Sequence, residues 1–358
     1  MSQSFGNFYR GRKVLLTGHT GFKGGWLTFW LKLLGAQVVG FALPPETDPN
    51  LFSAAKIAER ITSITGDIRD LAAVSTLFKN HNPEIVIHNA AQPLVRRSYR
   101  EPVETYATNV MGTVHVLEAA RHTKSVRAIV VVTSDKCYEN REWIWGYREN
   151  DPMGGHDPYS SSKGAAELIV AGYRKSFFSQ NGSAAVGSAR AGNVIGGGDW
   201  SEDRLVPDIV RGIASGKSVV IRRPDSIRPW QHVLEPLRGY LLLAQRLFEN
   251  SQKYAEPWNF GPREEDAIPV QQLAERIVGL WGKGALKLDP DPNAVHEATF
   301  LRLACEKAST QLGWRPVLKI DDALEWTVEW YRNYYANPAT ACSNTKSQIE
   351  RYMRLAGV

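Results

Sequence analysis

Tyr159 and Lys163 stand four residues apart in YSSSK, a spacing that puts both on one face of a helix. A lysine cation beside a phenol favours the phenolate and lowers its pKa toward neutrality. The pair is then a base able to take a hydroxyl proton while hydride leaves for a nicotinamide. Upstream, TSDK (Thr133 to Lys136) closes an apolar run. Ser134 can donate to the same oxygen that Tyr159 deprotonates, and Asp135 and Lys136 add an acid and a second cation. Near the N-terminus, VLL runs into TGHTGFKG, where Gly18, Gly21 and Gly24 form GxxGxxG. Glycines at this spacing allow a tight turn and let backbone N–H groups approach a pyrophosphate at a helix N-terminus. A phosphate cradle joined to a redox centre with its own acid implies oxidation of a substrate, chemistry on the ketone, and return of the hydride.

The elements around these residues alternate. Apolar runs at Lys13–Leu16, Gln37–Ala42, Ile61–Thr65, Glu84–His88, Arg127–Thr133 and Ala184–Ala189 read as strands. Amphipathic stretches at Lys23–Leu34, Leu71–Lys79, Glu104–Arg121 and Ser160–Phe178 read as helices. This succession predicts an α/β fold, a doubly wound parallel sheet of the Rossmann type, with ligands at the carboxyl ends of the strands. Residues 1–190 form the expected dinucleotide-binding domain, with a segment near 231–260 returning to it. Residues 191–358, richer in Gly and Pro, read mainly as a smaller α/β substrate-binding lobe. Its helices are expected at Glu235–Glu249, Val270–Trp281, Leu303–Leu312 and Asp321–Tyr335, with a weakly ordered tail after Pro338 until a last helix at Ser347–Leu355.

A net charge of +6 is spread singly or in pairs among acids. That pattern argues against nucleic acid and suits a phosphorylated or pyrophosphate-bearing small substrate. No apolar run reaches a membrane span, so no membrane association is expected, and a cytoplasmic protein follows. Cys137, Cys305 and Cys342 show no CxxC spacing, so no metal site is expected. The acid expected about twenty residues past the glycine loop is missing. No arginine replaces it, and Lys23 leaves NAD against NADP open. Asp67, in GDIRD, can accept from an adenine amino group or cap the following helix. His19 reads as a loop residue used for its backbone, Trp26 and Trp30 as core, and His88 as structural.

Taken together, TGHTGFKG, GDIRD, HNAAQ, TSDKCY, YSSSK and RAGNVIGGGDW resemble the extended short-chain dehydrogenase/reductases, and within them the nucleotide-sugar 4,6-dehydratases. PLVRRSY, TSDKCYEN and GGHDPYSSSK are most similar to the branch acting on CDP-glucose. The resemblance implies tightly held NAD+, a homodimer built by a four-helix bundle or a tetramer made from it, a nucleotide-sugar substrate, and a deoxysugar destined for a surface polysaccharide such as lipopolysaccharide O-antigen. It implies catalytic roles for Ser134, Asp135, Lys136, Tyr159 and Lys163. It puts Thr17, Gly18, Gly21, Phe22, Lys23 and Gly24 along the dinucleotide. Asp67, Ile68, Ala90, Ala91, Asn109 and Thr133 join them, with Tyr159 and Lys163. Gln92, Asn193, Arg204, Arg228 and His232 are the expected substrate contacts. Where related dTDP-glucose enzymes carry Thr-Asp-Glu, this chain has Ser-Asp-Lys, so Lys136 is either a neutral C5 base or a cation stabilising an enolate. The competing readings are a nucleotide-sugar 4-epimerase, a dehydratase for another nucleotide-glucose, and a non-catalytic dinucleotide sensor.

Overall fold

The computed structural model describes residues 5–180, 182–289 and 301–358. Strands β1 (Lys13–Thr17), β2 (Gln37–Ala42), β3 (Thr62–Thr65), β4 (Ile85–His88), β5 (Ala128–Val132) and β6 (Ala185–Ala191) pair in the order 3-2-1-4-5-6. A seventh strand, Pro257–Phe260, lies beside β6, and every pairing is parallel. β4 and β5 are buried along their whole length, the mark of a sheet covered on both faces. The order reverses between β1 and β4, so the crevice at their carboxyl ends is the expected ligand position.

Helix ends follow local chemistry. Asp70 caps Leu71–His81 by accepting from the Ala73 N–H, and Asp157 caps Pro158–Phe177 by accepting from the Ser160 N–H. The expected Glu104–Arg121 helix starts earlier, at Pro102. It is interrupted by a widened turn at Ala107–Met111, where the Gly112 N–H reaches the Ala107 carbonyl, and resumes over Gly112–Arg121. Helix Leu234–Asn250 is largely buried, and strand Pro257–Phe260 completes the sheet beside β6.

Beyond β6, the strands are short pairs: Val194–Ile195 with Gln231–His232, Ile227–Pro229 with Ala267–Pro269, and Val219–Ile221 with Leu286–Leu288. The expected helix Leu303–Leu312 shortens to a helical stretch over 306–312, widened across Ala308–Leu312. The tail corrects the expectation of weak order. After a short turn at Pro338–Thr340, helix Ala341–Ala356 is regular. Ala341, Thr345, Ile349 and Tyr352 recur every three or four residues and are fully buried. Tyr352 donates to Glu235 at 2.6 Å, which ties the last helix to the returning one. One contiguous core therefore runs from Val14 on β1 to Tyr352.

Candidate active site

At Gly18 the chain leaves β1 with φ +79°, a left-handed turn open to glycine. A Cβ there would lie 2.8 Å from the Ala90 backbone, and one at Gly24 would lie 1.9 Å from the Gly18 carbonyl. The loop is thus pressed onto the end of β4 and onto itself. No side chain caps helix Phe22–Leu33, so its first N–H groups suit an anion. The His19 ring corrects the expectation that only its backbone matters. It fills the space above Gly40, 2.4 Å from where a Cβ would stand, and pairs with Ser63 at 2.7 Å. Burial lowers its pKa to about 4.

Behind the loop lies a directed hydrogen-bond chain. The Thr113 hydroxyl donates to the Asn109 carbonyl at 2.7 Å and so accepts from His88 Nε2 at 3.1 Å. His88 Nδ1 then accepts from Thr17 at 2.7 Å, and the Thr17 hydroxyl oxygen receives the Asn89 and Ala90 N–H groups at 3.1 Å. Burial, helped by Lys163, holds the His88 pKa at about 3 and the ring neutral. Thr17 and Gly24 therefore shape the cradle from behind. Gly18, Gly21, Phe22 and Lys23 line a cavity of about 990 Å³, as do Asp67, Ile68, Ala90, Ala91 and Thr133. That volume sits at the top of the usual range for small-molecule sites. Asp67 is chelated by Arg69, at 2.6 and 2.8 Å through the guanidinium and 2.8 Å through the backbone N–H, which depresses its pKa. It does not cap the next helix; Asp70 does.

The same cavity holds Ser134, Asp135, Lys136, Tyr159 and Lys163. Ser134 opens a single turn at Asp135–Cys137; its Oγ accepts from the Lys136 N–H at 3.2 Å and donates to Asp135 Oδ1 at 2.9 Å. Burial raises the Asp135 pKa, opposed by Lys136, Ser134 and Lys23. A carboxyl biased toward its protonated form suits proton donation. Gly192 faces it, since a Cβ there would stand 2.6 Å from Asp135 Oδ2. Tyr159 is fixed at the start of its helix, its N–H donating to Ser98 Oγ at 3.1 Å. The expected depression of its pKa is not found. Burial pushes the phenol up to about 12, with Ser134 opposing, while burial brings Lys163 down to about 8. Desolvation outweighs Ser134 and Arg204 at this site. Lys23 stands 3.5 Å from the Tyr240 hydroxyl, and burial lowers its pKa to about 7, with Arg204 and Lys163 adding.

The sequence reading missed what supports these groups. Glu167, one turn past Lys163, accepts from Thr133 at 2.5 Å, Ser188 at 2.8 Å and Arg190 at 2.7 Å. Both members of the Arg190–Glu167 pair are 3% exposed. The i, i+4 position on the lysine's helix face was the available signal.

Two expected ligand contacts point inward instead. Asn109 exchanges hydrogen bonds with the Gln92 backbone at 2.9 and 3.1 Å and donates to Ser162 at 2.9 Å. The Gln92 amide is spent on Thr105 and on both backbone groups of Leu94. Neither lines the cavity; they bracket the loop after β4 to the tyrosine helix. His232 is a further correction. It is fully buried, edge-on to Trp26 and Trp326, with its pKa lowered to about 3 by burial, because Gln231–His232 pairs with Val194–Ile195 and turns the ring into the core. Asn193, Arg204 and Arg228 do line the cavity, with Arg204 held by Asp199 at 2.8 Å. The rim adds Arg96 and Arg222, both within 4 Å of Asp203.

A family model described as GDP-mannose 4,6 dehydratase matches residues 15–327. The chain belongs to that family. It is 51% identical over 352 residues to a CDP-glucose 4,6-dehydratase of Salmonella typhimurium, covering 97% of this chain and 98% of that one. A dTDP-glucose 4,6-dehydratase of Shigella flexneri is 25% identical over 356 residues, covering 89% and 92%. Among solved structures, a dTDP-glucose 4,6-dehydratase from Bacillus anthracis in complex with NAD matches with a TM-score of 0.75 at 22% identity, over 91% of this chain and 98% of that one. An epimerase from Methanothermobacter thermautotrophicus matches with 0.79 at 23%, over 93% and 95%. The fold is therefore that of nucleotide-sugar epimerases and dehydratases alike.

Proposed function

We propose that the protein is an NAD-dependent hydro-lyase that converts CDP-glucose to CDP-4-keto-6-deoxyglucose. The observation that carries this reading is Asp135. It is a buried carboxyl with a raised pKa, hydrogen-bonded to Ser134 and lining the same cavity as Tyr159 and Lys163. A site that only moved hydride to and fro would have no use for that acid. The 51% identity to a CDP-glucose 4,6-dehydratase supports the substrate.

The loop Gly18–Lys23, Asp67 and the Ala90–Ala91 end of β4 fit a dinucleotide: a cradle a Cβ would fill, uncapped helix N–H groups and an adjacent carboxylate. NAD+ bound there would supply the acceptor for the C4 hydride and give that hydride back to C6. Tyr159 takes the C4 hydroxyl proton, with Ser134 favouring the phenolate against burial and Lys163 one turn along the same helix. The C4 ketone acidifies C5–H, so oxidation comes first. Lys136 takes the C5 proton and returns it to C5 once the hydride is on C6. Asp135 gives its proton to the C6 oxygen, and water leaves across C5–C6.

Val103, Tyr106, Met111 and Leu168 are exposed apolar residues on the helices beside the site, which supports a homodimer packed through them. Among the described residues no helix is long and apolar enough to cross a membrane. A cytoplasmic enzyme making a deoxysugar for a surface polysaccharide such as O-antigen fits this reading.

Mass spectrometry of CDP-glucose incubated with protein and NAD+, with dTDP- and UDP-glucose in parallel, tests it. Loss of one water from CDP-glucose is the expected result. An isomeric product of unchanged mass would make the protein an epimerase and leave Asp135 without its role.

A further inference from the structure

The cavity has an arm of wall that the chemistry above does not use. It is formed by the first turn of helix Leu205–Ala214 and by strand Val219–Ile221 with the arginines that follow it. Because C4 of the sugar must meet Tyr159 and the glycine-loop side suits the dinucleotide, the remainder of an extended nucleotide sugar has this arm to occupy. Its walls are specific in character. Val220 is 46% exposed, whereas Val219 and Ile221 on either side are 6% and 1% exposed. In a strand, that alternation turns Val220 to the cavity face, where it offers an apolar surface to a flat ring.

Among the carboxylates lining the cavity, Asp208 belongs to the first turn of helix Leu205–Ala214. Asp208 lines the arm and is fixed through Oδ1 by Arg211, one turn along the same helix. Arg211 is itself pinned by the Trp200 and Ser201 carbonyls at 2.6 and 3.2 Å, so the carboxylate is held rather than free to swing. The neighbouring Arg222 is engaged by Asp203. An ionised carboxylate only accepts hydrogen bonds and has more acceptor sites than Arg211 fills. Burial raises its pKa, so it gains from a donor that replaces lost water.

We propose that Asp208 reads the nucleobase: its carboxylate accepts the 4-amino group of cytosine and repels the 4-oxo group of uracil or thymine, with Val220 against the ring. This inference rests on the nucleotide-sugar reading and supplies the base preference that the motifs leave unexplained. Acidic side chains accept from cytosine N4 in the same way in nucleic-acid recognition. The Asp208 side chain is 45% exposed; a base seated against it displaces the water there, and a polar group so desolvated rejects an analogue that cannot pair with it.

The test separates binding from turnover. CMP and UMP are titrated calorimetrically into the full-length protein with NAD+, for wild type, Asp208→Asn and Asp208→Leu. Wild type is expected to prefer CMP, and both substitutions to reduce the CMP-to-UMP affinity ratio by about 10- to 100-fold. In wild type, the 2-pyrimidinone ribonucleotide, which lacks the 4-amino group, is expected to bind about 10- to 100-fold more weakly than CMP. That arm holds even if a variant fails to fold. An unchanged ratio in a folded variant, or equal binding of CMP and the 2-pyrimidinone ribonucleotide, overturns the proposal. A protein that prefers CMP through Asp208 yet leaves CDP-glucose intact supports this inference and sinks the dehydratase reading. One that dehydrates CDP-glucose with an Asp208-independent preference does the reverse.

Discussion

The hydride end of the cavity and its arginine rim are built on opposite principles. At the hydride end Ser134, Asp135, Tyr159 and Lys163 are each less than 10% exposed and sit on strand ends or the first turns of a helix. Tyr159 donates its N–H to Ser98, and the neighbouring Thr133 and Ser162 are held by Glu167 and Asn109. At the rim, Arg96, Asp203 and Arg222 meet as ion pairs with side chains 28 to 48% exposed. Burial shifts every titration at the first end, while water screens the charges at the second. Proton transfer needs fixed atoms and altered pKa values; holding a pyrophosphate needs only charge nearby. The contrast suggests that the inner groups act as a unit and that the rim residues are individually dispensable.

Removing the Tyr159 hydroxyl should show the largest effect. Tyr159→Phe is expected to lower kcat by about 10²- to 10⁴-fold with the melting temperature nearly unchanged, measured by product formation and thermal unfolding. A loss below threefold would break the assignment of this end as the redox centre. Next comes the support behind it. Glu167→Gln leaves Arg190 charged and buried, and urea unfolding should report a loss of about 3–5 kcal/mol. A loss under 1 kcal/mol would mean that Tyr138 and the Glu149 carbonyl, both bonded to Arg190, suffice for it.

A third prediction concerns acid. His19, His88 and His232 have pKa values lowered by burial to about 4, 3 and 3, against 6.5 unfolded. Between these values the unfolded chain binds more protons, so stability should fall as pH drops from about 6.5 toward 4. His232→Phe should flatten that fall, seen as a smaller difference between urea midpoints at pH 7.5 and pH 5; an unaltered slope would show that His232 is not buried as a neutral ring. The smallest effect is expected at the rim. Arg96→Ala should change stability by less than about 1 kcal/mol and raise KM in a salt-dependent way. A collapse of kcat instead would erase the distinction between the two regions.

The sheet and its motifs were legible because each strand ends in a residue type that chemistry demands, and β-to-helix alternation is local. What failed depends on distant partners. Nothing adjacent in RPWQH shows that His232 turns between Trp26 and Trp326. Gln92 carries the chemistry of a ligand contact but is claimed by Thr105 and Asn109. The final helix is expected only over Ser347–Leu355; its earlier start at Ala341 depends on the burial of Ala341 and Thr345 in the core. Tyr159 was misjudged for a different reason: the lysine spacing was read correctly, but the depth of burial that reverses the pKa shift is set by the whole fold.

The widened turn at Ala107–Met111 sets the bearing of the helix that follows it. Each helical residue advances the face by about 100°, so the extra residue in that turn changes the phase of everything after it. Thr105 and Asn109 before and within it serve the loop at Gln92, whereas Thr113 after it serves His88 under the sheet. One continuous rod thereby answers to two neighbours at different bearings. Removal of a single residue between 107 and 111 would bring the rod back into one phase, and it could then face only one of them.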